Sequence, residues 1–379
     1  MAKGKIRIGL IGANPDRGWA KEAHIPALKA LPQFEIVAVS TTRQETAEAA
    51  ALAFGIPRAF GDWHEMVKHP EVDLVVACIR VPHHREIVLG SIDAGKDIFC
   101  EWPLGRHTAE AEEMLHAATS KGVRHMVGLQ GQVAPAIVYI RDLIAQGDLG
   151  DVISATLISS LALFGSEVTA DETFRLDRTN GYTGLTITGG HSLDALSFCL
   201  GNFQELSATV STQYKRVKLI GTSQFLEVTS PDQALICATL QSGAVVSIHV
   251  KVAITNPTGV LFEVNGTEGD LIAASRQPVN RNAVGIQRAD LRLFFAERRG
   301  KSGYRELEIP ARYRWVPPEV PSGSAFSTAQ LYAAFAKSIA DSNLTRPDFN
   351  SAVRCHRLID AVQRSADAGV RQNVSHVTQ

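Results

Sequence analysis

Short apolar runs alternate with amphipathic stretches over the first third of the chain. The runs have the length and composition of buried parallel strands and fall at residues 6–11, 34–40, 72–79, 97–100 and 123–129, with a shorter strand near 58–60. Helices are expected between them, at 19–31, 44–54, 63–68, a stretch ending near 95, and 108–121. Strands and helices that alternate at this spacing predict a doubly wound parallel sheet covered on both faces.

The pattern changes after residue 130 and becomes rich in strands. Helices are expected at 136–146, 189–200, 325–342 and 351–368, and strands at 151–164, 206–215, 233–240, 245–252, 260–264, 270–274, 291–296 and 304–309. We therefore predict an α/β domain over residues 1–130, followed by an α+β domain over 131–379 that is built on a large, mainly antiparallel open sheet.

The turn after the first strand carries the clearest functional signal. It contains Gly12, Asn14, Arg17, Gly18 and Trp19 and leads into the first predicted helix. A glycine-rich turn between a strand and a helix N-terminus binds a dinucleotide pyrophosphate, since its N–H groups approach the phosphates and the helix dipole favours negative charge. Asn14 and Arg17 stand where further glycines are usual, so an ordinary strand–loop–helix corner is the alternative.

The end of the second strand bears on the choice of cofactor. A carboxylate at this point binds the ribose 2′-hydroxyl of NAD. Here the sequence reads Ser40, Thr41, Thr42 and Arg43, with hydroxyls and a cation. Because a guanidinium pairs with phosphate through charge-assisted hydrogen bonds, this set favours NADP. A polar loop that caps the next helix is the alternative.

Composition and charge narrow the class of protein. The chain has 379 residues, 45% of them hydrophobic, and a net charge of −1, which argues against a surface for nucleic acid. Its five cysteines form no C-x-x-C pair and predict reduced thiols. The chain enters its first strand without a hydrophobic leader, and no apolar run is long enough to span a membrane. We expect a cytoplasmic protein.

Several motifs together resemble the Gfo/Idh/MocA oxidoreductase family. They are Gly18-Trp19-Ala20 with His24 and Pro26, Val81-x-x-His84-x-Glu86, Glu101-Trp102, Leu129-Gln130-Gly131, the run from Leu143 to Asp151, and Gly190-His191-x-x-Asp194. Within that family the chain is most similar to the fungal NADP-binding repressor of galactose genes and its oxidoreductase-like relatives. The resemblance implies a Rossmann domain, a C-terminal open sheet, and a dinucleotide site that includes Val81, His84, Glu101, Trp102 and Gln130.

Two positions depart from the family pattern. Trp102 replaces a lysine that lies beside the nicotinamide in typical members, and Ile187 replaces an aspartate four residues before the catalytic histidine. Only His191 remains of that set. A histidine alone can take the hydroxyl proton in a hydride transfer, because its pKa lies near neutrality. Trp102 is expected to stack near the nicotinamide or to shape the pocket, with structural packing as the alternative.

Other side chains are weaker candidates for the same chemistry. Asp194 would lie near His191 on one helix face and orient its imidazole, or cap the helix. Lys251 could supply the missing cation, although a lysine at such a position more often extends its amine to solvent. His84 could reach the nicotinamide. The adjacent His83 and His84 have no third ligand at useful spacing, so we expect no metal site.

Two functions remain open from the sequence. The first is an NADP-dependent oxidoreductase for a sugar, a polyol or a similar hydroxy compound, with the nicotinamide facing His191. The second is a catalytically inactive NADP-binding sensor that acts on a protein partner. In both cases we expect a homodimer, or a dimer of dimers, because few helices are available to cover the large second sheet. No DNA-binding motif is present, so direct contact with nucleic acid is not expected.

Overall fold

The fold was analysed in a computed structural model that describes residues 4–162, 165–277, 279, 285–298, 303–343 and 345–375. The chain forms two compact units. One contains the residues up to Gln130 together with Arg314–Val353, and the other contains Gly131–Tyr313 and the residues from Arg354 onward. The expected domains, 1–130 and 131–379, stay predictions; the compact units divide the chain after Gln130 and place Arg314–Val353 in the first unit.

The elements follow the predicted order closely. The helices are α1 (Ile25–Ala30), α2 (Gln44–Phe54), α3 (Trp63–Lys68), α4 (His84–Asp93), α5 (Thr108–Lys121), α6 (Pro135–Gln146), α7 (Gly190–Leu200), α8 (Ser324–Asp341) and α9 (Phe349–Ala368). The strands are β1 (Ile6–Ile11), β2 (Phe34–Ser40), β3 (Arg58–Phe60), β4 (Leu74–Ala77), β5 (Asp97–Cys100), β6 (His125–Val127), β7 (Val152–Ser160), β8 (Glu167–Val168), β9 (Phe203–Ser211), β10 (Arg216–Leu219), β11 (Phe225–Glu227), β12 (Gln233–Leu240), β13 (Val245–Lys251), β14 (Gly259–Gly266), β15 (Gly269–Ser275), β16 (Leu291–Glu297), β17 (Arg305–Leu307) and β18 (Gln372–Asn373).

The first unit contains a six-stranded sheet in the order β3-β2-β1-β4-β5-β6, and each of its strand pairs is parallel. This confirms the predicted doubly wound sheet. Its central strands β1, β4 and β5 are almost wholly buried, as their continuous apolar runs predict. The strand order reverses beside β1, so the carboxyl ends of β1 and β4 flank the crevice in which such sheets bind ligands.

Helix ends in the first unit follow their sequence signals. α2 ends at Gly55 and α5 at Gly122, both with a left-handed backbone at φ values of 68° and 71°. Glycine adopts this conformation without the steric penalty of a Cβ atom. The first helical segment begins as a wide π-helical turn, Ala20–His24, and continues as α1.

The second unit is built on a nine-stranded sheet in the order β17-β16-β15-β14-β7-β13-β12-β9-β18. Its pairs are antiparallel except for β7 with β13, which confirms the predicted mainly antiparallel sheet. β7, the first strand of this unit, ends at Ser160. Its predicted end, residue 164, lies outside the described residues.

A small sheet in the second unit was not predicted. This sheet has three strands, in the order β11-β10-β8. They enclose a separate apolar cluster of Val168, Leu176, Val217 and Val228. These strands have only two to four residues each, which is too short for an alternating pattern to stand out.

The two faces of the nine-stranded sheet differ. On β12 and β13 the side chains of Ile236, Ile248 and Val250 are buried, while alternate positions such as Leu235 and Val245 are 46% and 58% exposed. A Cβ atom at Gly189, just before α7, would lie 3.8 Å from Val250, so the buried face is the one near α7. The opposite face is the one on which the apolar side chains of Leu235 and Val245 are exposed.

No helix within the described residues is both long enough and apolar enough to cross a bilayer.

Candidate functional site

The turn after β1 is shaped by Gly12. Its φ is +95°, and a Cβ atom at this position would lie 2.3 Å from the carbonyl oxygen of Cys78 and 2.4 Å from a methyl group of Ile79. Its N–H donates to the carbonyl of Ser40 at 3.0 Å. Gly12 is therefore required twice, for its backbone conformation and for the close approach of the chain after β4.

The rest of the turn is open and suited to an anion. Gly18 has a φ of +97°, and nothing lies within 4 Å of the position that its Cβ atom would take. Asn14 accepts the N–H of Asp16 through its side chain at 2.8 Å. Among the described residues no hydrogen bond engages the N–H groups of Ala13 and Asn14. Available N–H groups before a helix N-terminus fit a pyrophosphate.

The loop after β2 divides the predicted cofactor residues. Ser40 is 1% exposed and supports the glycine turn through its carbonyl. Thr41 donates its hydroxyl to the carbonyl of Arg43 at 3.0 Å and also lies 2.6 Å from the hydroxyl of Thr46. Both residues are thus held within the loop, while Thr42 and Arg43 are exposed. Of the predicted set, Arg43 is the side chain with freedom to reach a phosphate.

His84 joins the loops that follow β4 and β5. It is 1% exposed, with Nδ1 2.9 Å from the carbonyl oxygen of Pro103 and Nε2 3.1 Å from that of Ile79. Burial lowers its pKa below the usual value, although both carbonyls and the charge of Glu101 oppose this. A neutral imidazole donates to one of these carbonyls and contacts the other, and His84 thereby links the two loops. Val81, in the turn before α4, is also buried.

Glu101 follows β5 and contacts side chains from two other segments. Its carboxylate Oε1 lies 2.9 Å from Nε2 of the fully buried His24, and Oε2 accepts a long contact of 3.4 Å from the Gln130 amide. The other nitrogen of His24 lies 2.7 Å from the hydroxyl of Tyr332 on α8. Sequence reasoning missed Tyr332, because it is 308 positions from His24 and stands in an ordinary amphipathic helix.

Trp102 is 5% exposed and precedes Pro103, to which it is joined by a cis peptide bond. The side chain that replaces the family's lysine is therefore mostly enclosed by protein. At the carboxyl end of β5 the chain therefore has an apolar indole ring and not a cation.

His191 and Asp194 lie on α7 in the second unit and are both 6% exposed. Asp194 accepts a hydrogen bond of 2.7 Å from the Gln132 amide. Burial raises the pKa of Asp194 from 3.8 to about 7, against the opposing effects of that hydrogen bond and of the Arg354 charge. α7 thus carries an imidazole and, three residues on, a carboxyl group that exchanges its proton near neutrality.

Lys251 is not brought together with this pair. It ends β13 and shares a sheet face with His249, whose pKa is lowered by burial and by the Lys251 charge. The neighbouring Val250 faces the turn before α7. Because side chains alternate along a strand, Lys251 points to the face away from α7. Its proposed catalytic role stays a prediction.

Over the described ranges, no cluster of three or more histidine, cysteine or carboxylate side chains could hold a metal ion.

Comparisons with known proteins agree with this geometry. Residues 6–129 match a family model described as an oxidoreductase family with an NAD-binding Rossmann fold, and residues 135–275 match that of the Gal80p C-terminal domain. The dehydrogenase aclE of Aspergillus oryzae is 37% identical over 225 residues, covering 58% of this chain and 61% of that protein. The galactose/lactose metabolism regulatory protein GAL80 of Saccharomyces cerevisiae is 30% identical over 288 residues, covering 70% of this chain and 66% of that protein.

Both alignments span less than two thirds of the fungal relatives. Solved structures match over nearly the full length. A crystal structure of a super-repressor mutant of Saccharomyces cerevisiae Gal80p has a TM-score of 0.87 at 25% identity, covering 99% of this chain and 100% of that one. Levoglucosan dehydrogenase in complex with NADH and levoglucosan has a TM-score of 0.83 at 23% identity, covering 97% and 99%, and shows the shared fold. Residues 6–129 therefore belong to the Gfo/Idh/MocA oxidoreductase family with its NAD-binding Rossmann fold, and residues 135–275 form a C-terminal domain of the Gal80p type.

Proposed function

We propose that the protein is an NADP-dependent oxidoreductase that acts on a CH–OH group of a sugar, a polyol or a similar hydroxy compound. The observation that carries the proposal is the turn after β1, whose Gly12 and Gly18 conformations and available N–H groups suit a pyrophosphate. Family membership supports hydride transfer as the chemistry. Levoglucosan dehydrogenase, a relative of this chain at 24% identity over 95% of its length, supports a sugar-like substrate.

A bound nicotinamide supplies the hydride acceptor or donor. The protein must then move the hydroxyl proton, and His191 is the group proposed for that step. In the oxidation direction its imidazole takes the proton from the substrate oxygen while the hydride leaves the carbinol carbon. Trp102 cannot exchange a proton, so it serves as an apolar wall that excludes water. Asp194 acts as a nearby buried acid in the same helix.

The preference for NADP rests on the loop after β2. Arg43 is exposed at the start of α2, and no carboxylate stands between Ser40 and Arg43 to bind a ribose hydroxyl or to repel a phosphate. A guanidinium in this position suits a 2′-phosphate through paired, charge-assisted hydrogen bonds.

A catalytically inactive sensor is the second candidate. The match of residues 135–275 to the Gal80p C-terminal domain favours it, and so do Trp102 and Ile187, which stand in place of the family's lysine and aspartate. In this function the first unit binds NADP and a protein partner recognises the bound form.

Turnover and binding together distinguish the two functions. The protein is mixed with NADP⁺ and a panel of sugars and polyols, and reduced nicotinamide is followed by its absorbance. The enzyme proposal predicts turnover of at least one compound, with activity lost in His191→Asn while NADP⁺ binding is retained. Tight NADP⁺ binding without turnover of any compound would instead support the sensor.

The remaining proposals concern partners and location. We propose a homodimer, or a dimer of dimers. Two chains would pair through the faces of their nine-stranded sheets on which Leu235 and Val245 are exposed. Cytoplasmic location and the absence of direct nucleic-acid contact remain predictions from composition.

A further inference from the structure

We propose that Glu101 is a fixed anion at the nicotinamide half of the dinucleotide site, where it makes the protein bind the oxidised cofactor more tightly than the reduced one. This inference rests on the proposed dinucleotide binding and adds to it a preference between redox forms. It requires that Glu101 lie near the nicotinamide, keep one position and carry a negative charge.

The position follows from the sheet order. In a sheet of order β3-β2-β1-β4-β5-β6, each half binds one nucleotide, and the β4-β5-β6 half receives the nicotinamide. Glu101 directly follows β5, and Gln130, which contacts it, lies just after β6. Both therefore lie at the carboxyl ends of this second half.

The carboxylate is held from behind by a buried chain of polar groups. Tyr332 and His24 are fully buried, with 2.7 Å between the tyrosine hydroxyl and Nδ1 and 2.9 Å between Nε2 and the Glu101 carboxylate. These contacts link the carboxylate to two buried side chains and so fix its position.

Space for the carboxylate is reserved by Gly128. A Cβ atom on Gly128 would lie 2.4 Å from Oε2 of Glu101 and 2.9 Å from its Cδ. The glycine therefore permits the carboxylate to occupy this point. The Glu101 side chain is 14% exposed, so part of it remains open to a ligand.

Four titratable groups near Glu101, namely Cys78, Cys100, Tyr332 and His84, carry no charge at neutral pH. Burial and then the Glu101 charge raise the pKa values of the Cys78 and Cys100 thiols and of the Tyr332 hydroxyl well above their usual range. Burial lowers the pKa of His84. Since these groups carry no charge at neutral pH, they do not screen the carboxylate.

A fixed negative charge distinguishes the two redox forms. The oxidised nicotinamide ring carries a positive charge and the reduced ring carries none, while the rest of the molecule is the same in both. Attraction to a nearby anion in a partly desolvated site is stronger than in water. The protein should therefore favour the oxidised form relative to a site that lacks this charge.

The test measures dissociation constants for NADP⁺ and NADPH by calorimetric titration, with NAD⁺ and NADH as a second pair. Glu101→Gln keeps the size of the side chain and removes its charge. Its ratio of NADP⁺ to NADPH dissociation constants should rise about tenfold over that of the wild type.

Glu113→Gln is the control. Glu113 lies on the exposed surface of α5, where it pairs with Arg85, so its substitution should leave the ratio unchanged. Tyr332→Phe removes the hydroxyl behind His24 and should shift the ratio in the same direction by a smaller factor.

The outcomes separate this inference from the proposed function. A wild type that binds both forms but favours NADPH, or a Glu101→Gln ratio equal to that of the wild type, overturns the role of Glu101 and leaves dinucleotide binding intact. Equal loss of both affinities assigns Glu101 a structural role only and also overturns the inference. A wild type that binds no dinucleotide overturns both proposals. If Glu101→Gln does not fold, the wild-type preference and the Tyr332→Phe ratio decide.

Discussion

α7 carries two candidate groups, His191 and Asp194. The environment of Asp194 differs more from that of a free side chain in water. Asp194 is almost fully buried, and its known hydrogen bond comes from the neutral amide of Gln132. An amide donor stabilises a carboxylate less than a buried cation would, so desolvation dominates and raises the pKa of Asp194 to about 7.

This environment predicts a pH dependence of stability. Between pH 4 and 7 the folded protein keeps a proton on Asp194 that the unfolded chain has lost, so the free energy of unfolding falls as pH rises. The slope from this group is at most about 1.4 kcal/mol per pH unit and vanishes above pH 7. Asp194→Asn should remove that slope and be the more stable protein at pH 8.

Denaturant unfolding at several pH values measures the effect. The exposed Asp151→Asn is a control in the same unit and should follow the wild type. Parallel curves for Asp194→Asn and the wild type from pH 4 to 8 would show that Asp194 titrates normally in the folded protein.

At the residue scale, sequence reasoning identified positions whose chemistry is local. Gly12 could be predicted because a tight turn needs glycine whatever surrounds it. His191 was identified through the resemblance to the Gfo/Idh/MocA family, and its catalytic role stays a prediction. Ser40, expected at the cofactor, is buried, and its carbonyl accepts the N–H of Gly12; its role at the cofactor stays a prediction. Tyr332 was missed because its partner, His24, is a tertiary neighbour that no local pattern indicates.

Among the elements, the turn between β1 and the first helix tolerates change least. Gly12→Ala combines a left-handed backbone with a Cβ atom 2.3 Å from the carbonyl oxygen of Cys78. We expect a loss of roughly 2–4 kcal/mol in the free energy of unfolding and loss of dinucleotide binding.

Gly18→Ala is the matched comparison within the same turn. It has a similar φ of +97° but open space around the added Cβ atom, so its cost should be limited to about 1–2 kcal/mol of backbone strain. Thermal melting of both variants measures the difference. Equal stability losses would show that the contact with the chain after β4 does not constrain the turn.

The loop between β2 and α2 carries the prediction on cofactor type. Arg43→Ala should weaken NADP⁺ binding by at least about tenfold, because a charge-assisted hydrogen bond contributes roughly 1.5–3 kcal/mol, and should leave NAD⁺ binding unchanged. Arg124→Ala is the control, since Arg124 precedes β6 at the opposite, amino ends of the strands. Equal loss of NADP⁺ and NAD⁺ affinity in Arg43→Ala would contradict recognition of the 2′-phosphate.

Elements with long, regular patterns could be predicted nearly to the residue. The bounds of α2, β12 and α5 agree with those expected from apolar spacing and terminal glycines. The small sheet of β8, β10 and β11 could not, since strands of two to four residues owe their form to the cluster that they enclose.

At the scale of the whole molecule, the order of helices and strands along the chain does not predict which of them pack together in one unit. α8 comes after every strand of the second unit except β18, yet it packs against α1 and the turn before it in the first unit. The buried aromatic contacts of Tyr332 with Phe34 and Phe99 account for this return. Such long-range packing depends on matching surfaces, which a single sequence does not reveal.

The proposed homodimer is tested on the exposed face of the nine-stranded sheet. Leu235 is 46% exposed on that face, beside His249 on β13 and Thr209 on β9. A carboxylate at the centre of a paired face would lose its hydration on association, so Leu235→Glu should be monomeric where the wild type is dimeric. Sedimentation equilibrium measures this, with Leu52→Glu, at 87% exposure on α2, as the control. A monomeric wild type would exclude the dimer.

The central claim is that the first unit binds an NADP-type dinucleotide, and calorimetric titration of the wild-type protein with NADP⁺ and NAD⁺ tests it most directly. The account predicts saturable binding of one molecule per chain, with NADP⁺ bound more tightly than NAD⁺. Binding of neither nucleotide would contradict the account, and tighter binding of NAD⁺ would contradict the assignment of Arg43 to the 2′-phosphate.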